Sequence, residues 1–213
     1  MHLHDVLHYA NPSIKLQLQL GGVSWSFETC WWVPLLFGLA GLILGLAVPL
    51  LDELAAAAAA AAAAQQRGQQ QQQRLLGAAA NAPLDPAWPA VLLCISLFVA
   101  QYGLSGILEQ PTLGQVLLPD IPIPTLDTLL FTYAMLHWLV FDKTPQGFGM
   151  ASLTAVCGPA VEMLLINVLQ LYHYSHPVVL GVPTWIPWVY FCGGPAVGNL
   201  GRRVWSQLKS STQ

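Results

Sequence analysis

The chain has 213 residues, of which 55% are hydrophobic and only 8% charged, against roughly 25% charged in an ordinary soluble domain. That balance excludes a soluble globular enzyme. Seven Lys and Arg face ten Asp and Glu for a net charge of -3, and no basic cluster dense enough to follow a phosphate backbone occurs, so nucleic acid is excluded as a partner.

The first thirty residues carry His2, His4, Asp5, His8 and Lys15 and no compact apolar core, so they read as a polar segment (1–30) retained in the mature chain. About 20 apolar residues cross a bilayer as a helix. Counting runs of that kind gives five predicted spans: Trp31 to Leu51, Trp88 to Leu108, Thr125 to Phe141, Phe148 to Tyr172 and Thr184 to Trp205. The expected fold class is therefore all-α, a polytopic membrane helix bundle over 31–205 with a short tail at 206–213.

Between the first two spans lie ten alanines, Ala55 to Ala64, and a Gln-rich tract with Arg67 and Arg74. The alanines could extend a helix locally. The mixture of Ala, Gln, Gly and Pro has little bulk to bury, however, and 55–87 is expected to be a disordered loop without chemistry. Gln110 to Pro124 contains four prolines, each removing a backbone donor, and is expected at the membrane surface.

Orientation follows from the basic residues. Arg67, Arg74, Lys143, Arg202, Arg203 and Lys209 fall on one side of the five spans and only Lys15 on the other. The rich side is expected to be cytosolic, which places the carboxyl terminus there and the residues before Trp31 across the membrane.

Polar groups inside the spans are candidates for function. Glu162, Asn167 and His137 are the three to weigh. Glu162 reads either as a proton or ion relay or, with no intramembrane Lys or Arg opposite, as a carboxyl bonded to a neighbouring helix or a small ligand. His173 and His176 have a spacing that could reach one metal, but no third ligand is fixed, and no metal site is assigned. No nucleophile motif, metalloprotease helix or phosphate loop occurs, so neither enzyme activity nor a cofactor is expected. The single cysteines Cys30, Cys94, Cys157 and Cys192 read as apolar fillers. Gly41 and Gly45, and Gly194 and Gly198, are spaced for close helix packing. Trp31, Trp32, Trp185 and Trp188 read as interface anchors.

Several local patterns then resemble one family. Glu28-Thr29-Cys30-Trp31-Trp32-Val33-Pro34 followed by Gly45, Pro49 and Asp52 is similar to the second membrane helix of the Insig family. Trp138-x-x-Phe141-Asp142-Lys143-x-x-x-Gly147-Phe148-Gly149 resembles that family's central turn. Tyr172-x-Tyr174 with Pro177, Trp185-x-Pro187, Phe191-x-Gly193-Gly194 and Gly198-Asn199-Leu200-Gly201-Arg202 follow in the family's order.

The resemblance implies a bundle of the endoplasmic reticulum membrane whose last five of six helices are those counted here. It implies an adaptor that binds an oxysterol and holds sterol-sensing-domain clients such as Scap and hydroxymethylglutaryl-CoA reductase, with no reaction of its own. By position, Phe98 and Trp138 match aromatic residues of the family's sterol pocket, and Thr125 stands where animal members have Gln. Asp142 matches the acid that members need to hold Scap. Read from the residues alone, Asp142 pairs with Lys143 or caps the fourth helix. Glu162 has no counterpart in the animal proteins, and with Asn167 it supports a different reading, a small transporter or lipid-handling protein. A third, an assembly factor indifferent to sterol, stays open.

Overall fold

The computed structural model describes residues 6–20, 23–65, 85–109 and 123–211. Among them are five helices: α1 (Trp32–Gln65), α2 (Trp88–Glu109), α3 (Ile123–Phe141), α4 (Pro145–Asn167) and α5 (Ile186–Ser211). The helical bundle and its five helices are those expected from hydropathy. α1, α2 and α4 are each long and apolar enough to cross a bilayer, and α3 contributes a shorter apolar stretch, Leu126–Phe141. Outward-facing side chains of these helices are apolar and exposed, among them Leu39, Leu42 and Ile43 on α1, Leu92 and Val99 on α2 and Val156 on α4. Such surface is stable only against lipid, so the chain is an integral membrane protein.

α5 is the hub, packing against each of α1, α2, α3 and α4. Its composition suits that place. One side buries Val189, Phe191, Cys192, Ala196 and Gly198 together with the polar Asn199 and Arg202. Pro187 lies in its first turn, where a missing N–H costs nothing, and Pro195 lies inside it. Against α1 the backbones nearly touch: a Cβ added at Gly201 would lie 2.1 Å from the carbonyl oxygen of Gly45. The small-residue expectation thus holds for Gly45, whereas a Cβ at Gly41 would meet nothing within 4 Å.

Three features differ from the expected layout. α1 continues through the alanine run to Gln65, because Ala has the highest helix propensity and extends an existing helix without a new nucleus. The expectation of a disordered loop from 55 therefore fails for 55–65; residues 66–84, with Arg67 and Arg74, lie outside the described residues, as do His2, His4 and the segment 110–122.

The second difference is a pair of ribbons. β2 (Ile14–Leu20) pairs with β3 (Val23–Thr29) as an antiparallel hairpin, and β1 (Leu7–Tyr9) pairs with β4 (Tyr172–Tyr174). Alternation explains both: Ile-Lys-Leu-Gln-Leu-Gln-Leu has period two, and Tyr172-His173-Tyr174 buries its tyrosines and exposes its histidine. The β1 pairing draws the amino-terminal segment onto the turn after α4, where Tyr9, Trp32 and Tyr172 pack together.

The tryptophans are the third. Trp31 is exposed as an anchor should be, but Trp185 is 4% exposed and sits in the core with Leu126, Leu130, Tyr172 and Val189. Trp188 meets the ring of Phe131 edge-on. Three of the four cysteines, Cys30, Cys94 and Cys192, are buried and unbridged, and Cys157 is exposed.

Candidate functional site

Two neighbouring assemblies carry the candidate residues. The first is aromatic. Phe98 from α2 and Trp138 from α3 both pack against one core cluster formed by Ala134, Ala151, Phe191 and Cys192. A Cβ at Gly193 would stand in ordinary contact, 3.7 Å from the tip of Phe98, so the ring packs against α5 at this position. Trp138 meets Phe148 edge-on at 5.0 Å, and Phe148 meets Phe191 at 5.6 Å. The indole Nε1 of Trp138 is buried and finds no acceptor among the described residues. An unpaired buried donor costs stability until a ligand supplies an oxygen. The structure thus brings Phe98 and Trp138 to one place. Thr125 lies in the first turn of α3, and its side chain is outside the described residues.

The second assembly is ionic and lies at the far end of α5 from Trp185. Arg202 donates through Nε and Nη2 to the two oxygens of Asp52, at 2.5 and 3.1 Å, and through Nη1 to Oδ2 of Asp142 at 2.9 Å. The three side chains are 1–2% exposed. One guanidinium therefore ties α1, the α3–α4 turn and α5. Gln146 donates to Asp52 and Asn199 donates to the carbonyl of Phe141, at 2.8 and 3.0 Å. Further bonds satisfy the oxygens of Asp142: the Thr144 backbone N–H donates to Oδ1 at 3.1 Å and the Thr144 hydroxyl donates to the same oxygen. Thr144 in turn is the N-cap of α4 and accepts from the N–H of Gly147. Gly147 is required, since a Cβ there would lie 2.1 Å from Oδ2 of Asp142.

This geometry corrects the pairing expected from sequence. Asp142 neither pairs with Lys143 nor caps α4 directly. Lys143 is exposed and adopts a φ of 64° as the chain reverses, while Asp142 turns inward to Arg202 and supports the real cap, Thr144. Arg202 reads in sequence as one of the basic residues on the cytosolic side; it is among the most deeply buried side chains described. The signal that could have found it is the pair of acids, Asp52 and Asp142, at the ends of apolar runs, since such charges at membrane depth need a partner.

The other polar candidates are occupied. Glu162 is 8% exposed and accepts from the hydroxyls of Tyr174 and Tyr190, both at 2.7 Å. Burial and then the nearby Glu162 hold the Tyr174 phenol well above its ordinary range, so it stays a donor. The Asn167 amide donates to the carbonyls of Met163 and Leu180. His137 Nε2 lies 3.1 Å from the carbonyl of Cys94. His173 stacks on His8, and His176 stands 4.0 Å from Glu109. Among the described residues no three His, Cys, Asp or Glu side chains are placed to hold a metal ion.

Comparison with known proteins bears on this arrangement directly. A family model described as Insulin-induced protein (INSIG) matches residues 124–205, the stretch that holds Trp138, Asp142 and Arg202. The chain is thus similar to members of the Insig family. It is 29% identical to an insulin-induced gene 1 protein of Danio rerio over 178 residues, 84% of this chain and 57% of that one. With an insulin-induced gene 2 protein of Gallus gallus it shares 26% over the same length, 64% of that protein. The chain thus spans less than two thirds of these curated relatives. It is also similar to the crystal structure of an Insig homologue from Mycobacterium vanbaalenii, at 19% identity and a TM-score of 0.49, covering 77% of this chain and 91% of the other.

Proposed function

We propose that this chain is an Insig-family protein acting as a sterol-responsive adaptor of the endoplasmic reticulum membrane, with its carboxyl terminus in the cytosol and no reaction of its own. It binds an oxysterol against Phe98 and Trp138, with position 125 contributing to the choice of sterol, and holds a sterol-sensing-domain client of the Scap or hydroxymethylglutaryl-CoA reductase kind. The observation that carries the reading is the buried indole N–H of Trp138, which lacks an acceptor among the described residues beside an aromatic cluster. An oxysterol offers apolar rings for the cluster and a hydroxyl oxygen for that N–H.

Asp142 serves the client through shape. Its carboxylate is 1% exposed, so the contact falls to the turn it holds, where Lys143, Pro145 and Phe148 are exposed. Phe148 touches Trp138 on one side and belongs to that turn on the other. A sterol that fixes Trp138 therefore favours the client-binding arrangement of the turn by its differential affinity for it.

The test is binding of a labelled oxysterol to the purified chain in detergent. Saturable binding is expected, abolished in Trp138→Ala and weakened about tenfold in Trp138→Phe, which keeps the ring and removes one hydrogen bond. Absence of binding by a folded sample would overturn the sterol role.

A further inference from the structure

The hairpin ahead of α1 is amphipathic along its length. Its register pairs Ile14 with Thr29, Leu16 with Phe27, Leu18 with Trp25 and Leu20 with Val23, and between them Lys15 with Glu28, Gln17 with Ser26 and Gln19 with Ser24. Alternation along a strand puts the first series of positions on one face of the ribbon and the second on the other. One face is therefore apolar at seven of its eight positions, and the other is polar throughout. Ile14 is 42% exposed and Leu16 56%, while Lys15 and Glu28 close an ion pair at 3.0 Å on the polar face. A two-stranded ribbon is marginal in water by itself, and an apolar face of this kind calls for a partner.

Position specifies that partner. β3 ends at Thr29 and α1 begins at Trp32, so the near end of the ribbon stands within about 10 Å of the helix that enters the bilayer. Trp31, between them, is exposed, as an interface anchor is. The apolar face is also the one turned toward the bundle, because Thr29 hydrogen-bonds Tyr9, whose ring packs against Trp32 and Tyr172. Beyond that contact the same face runs on along strands of seven residues, about 23 Å in length. The lipid-facing surface of α1 starts one turn into the helix with exposed Leu35 and Leu36. The apolar face of the ribbon is thus continuous with surface that lies against lipid.

We propose that the β2–β3 hairpin is an interfacial membrane anchor, which lays its apolar face into the headgroup–acyl boundary of the leaflet where α1 begins and turns its Lys15–Glu28 face to water. The partner is the lipid surface itself. The two strands satisfy their inner backbone groups by pairing, and at interface depth the outer edges still reach water, so the ribbon needs no closure into a barrel. Together with Trp31 it sets the depth at which α1 enters the bilayer. The anchor is separate from Phe98 and Trp138 and does not rest on the sterol reading.

Spin labels attached singly through Leu16→Cys and Gln17→Cys test it, with the full chain in phosphatidylcholine vesicles and the exposed native thiol removed by Cys157→Ser. Collision with oxygen and with a water-soluble nickel chelate reads the depth of each label, and an unchanged helical signal checks each variant. The label at 16 is expected about 5–10 Å inside the headgroup–acyl boundary, open to oxygen and closed to the chelate, and the label at 17 in water. Equal readings at the two positions, whether in water or in lipid, would overturn the proposal. A label at 16 shielded from oxygen and chelate alike would overturn it too, by showing that face packed on the chain itself. Spin–spin broadening at 16 that vanishes on dilution with unlabelled chain would replace the lipid surface with a second copy.

Discussion

The Arg202 guanidinium reaches across sixty residues of chain to donate to Asp142 at 2.9 Å, with both side chains 1% exposed. Because the same guanidinium also bridges Asp52, two carboxylates depend on one cation. Arg202→Met leaves both buried without compensation. A loss of about 3–5 kcal/mol is expected, read from chemical unfolding in detergent, while Lys143→Ala, an exposed change, stays within about 0.5 kcal/mol. Equal effects would show that Lys143 shares the ion network.

The α1–α5 contact makes a steric prediction. Gly201→Ala places a methyl carbon against the carbonyl of Gly45, and the helices must separate at a cost of about 1–3 kcal/mol. Gly41→Ala, which meets open space, should be neutral or slightly stabilising through helix propensity. Thermal denaturation of the two variants side by side decides it.

Glu162 ties α4, β4 and α5 together by accepting from Tyr174 and Tyr190. Glu162→Ala strands the hydroxyls of Tyr174 and Tyr190, and each buried hydroxyl left unpaired costs about 1–3 kcal/mol. The triple change with Tyr174→Phe and Tyr190→Phe should recover part of that loss. Proton flux through reconstituted vesicles that disappears in Glu162→Gln would favour the relay.

Phe148 links the aromatic cluster to the start of α4, next to the turn proposed to contact the client. Phe148→Ala should leave oxysterol binding within a factor of about three and remove the effect of sterol on client capture. Loss of both together would make Phe148 part of the binding surface alone.

How much of this was legible in the sequence differs from feature to feature. α2 and α3 were readable nearly to the residue because apolar length alone defines a span. The extension of α1 was not, since low bulk argues for disorder while high propensity argues for helix, and an already formed helix above the alanines decides between them. The β1–β4 pairing joins segments more than 160 residues apart, which no local period can signal. Phe98 and Trp138, singled out by position through the resemblance, pack against one cluster. Asp142 was singled out the same way, but its partner was not: Arg202 lies in the polar last turns of an amphipathic helix, and only packing reveals that its face turns inward.

In the proposed mechanism sterol controls client capture. The direct measurement is co-purification of a sterol-sensing-domain membrane protein with the chain from detergent extract, with and without added oxysterol, for the unmodified chain and Trp138→Ala. Capture that rises with oxysterol and loses that rise in Trp138→Ala is the predicted result. Capture that is equal with and without sterol, by a chain that binds the client well, would contradict the account and leave a membrane scaffold indifferent to sterol.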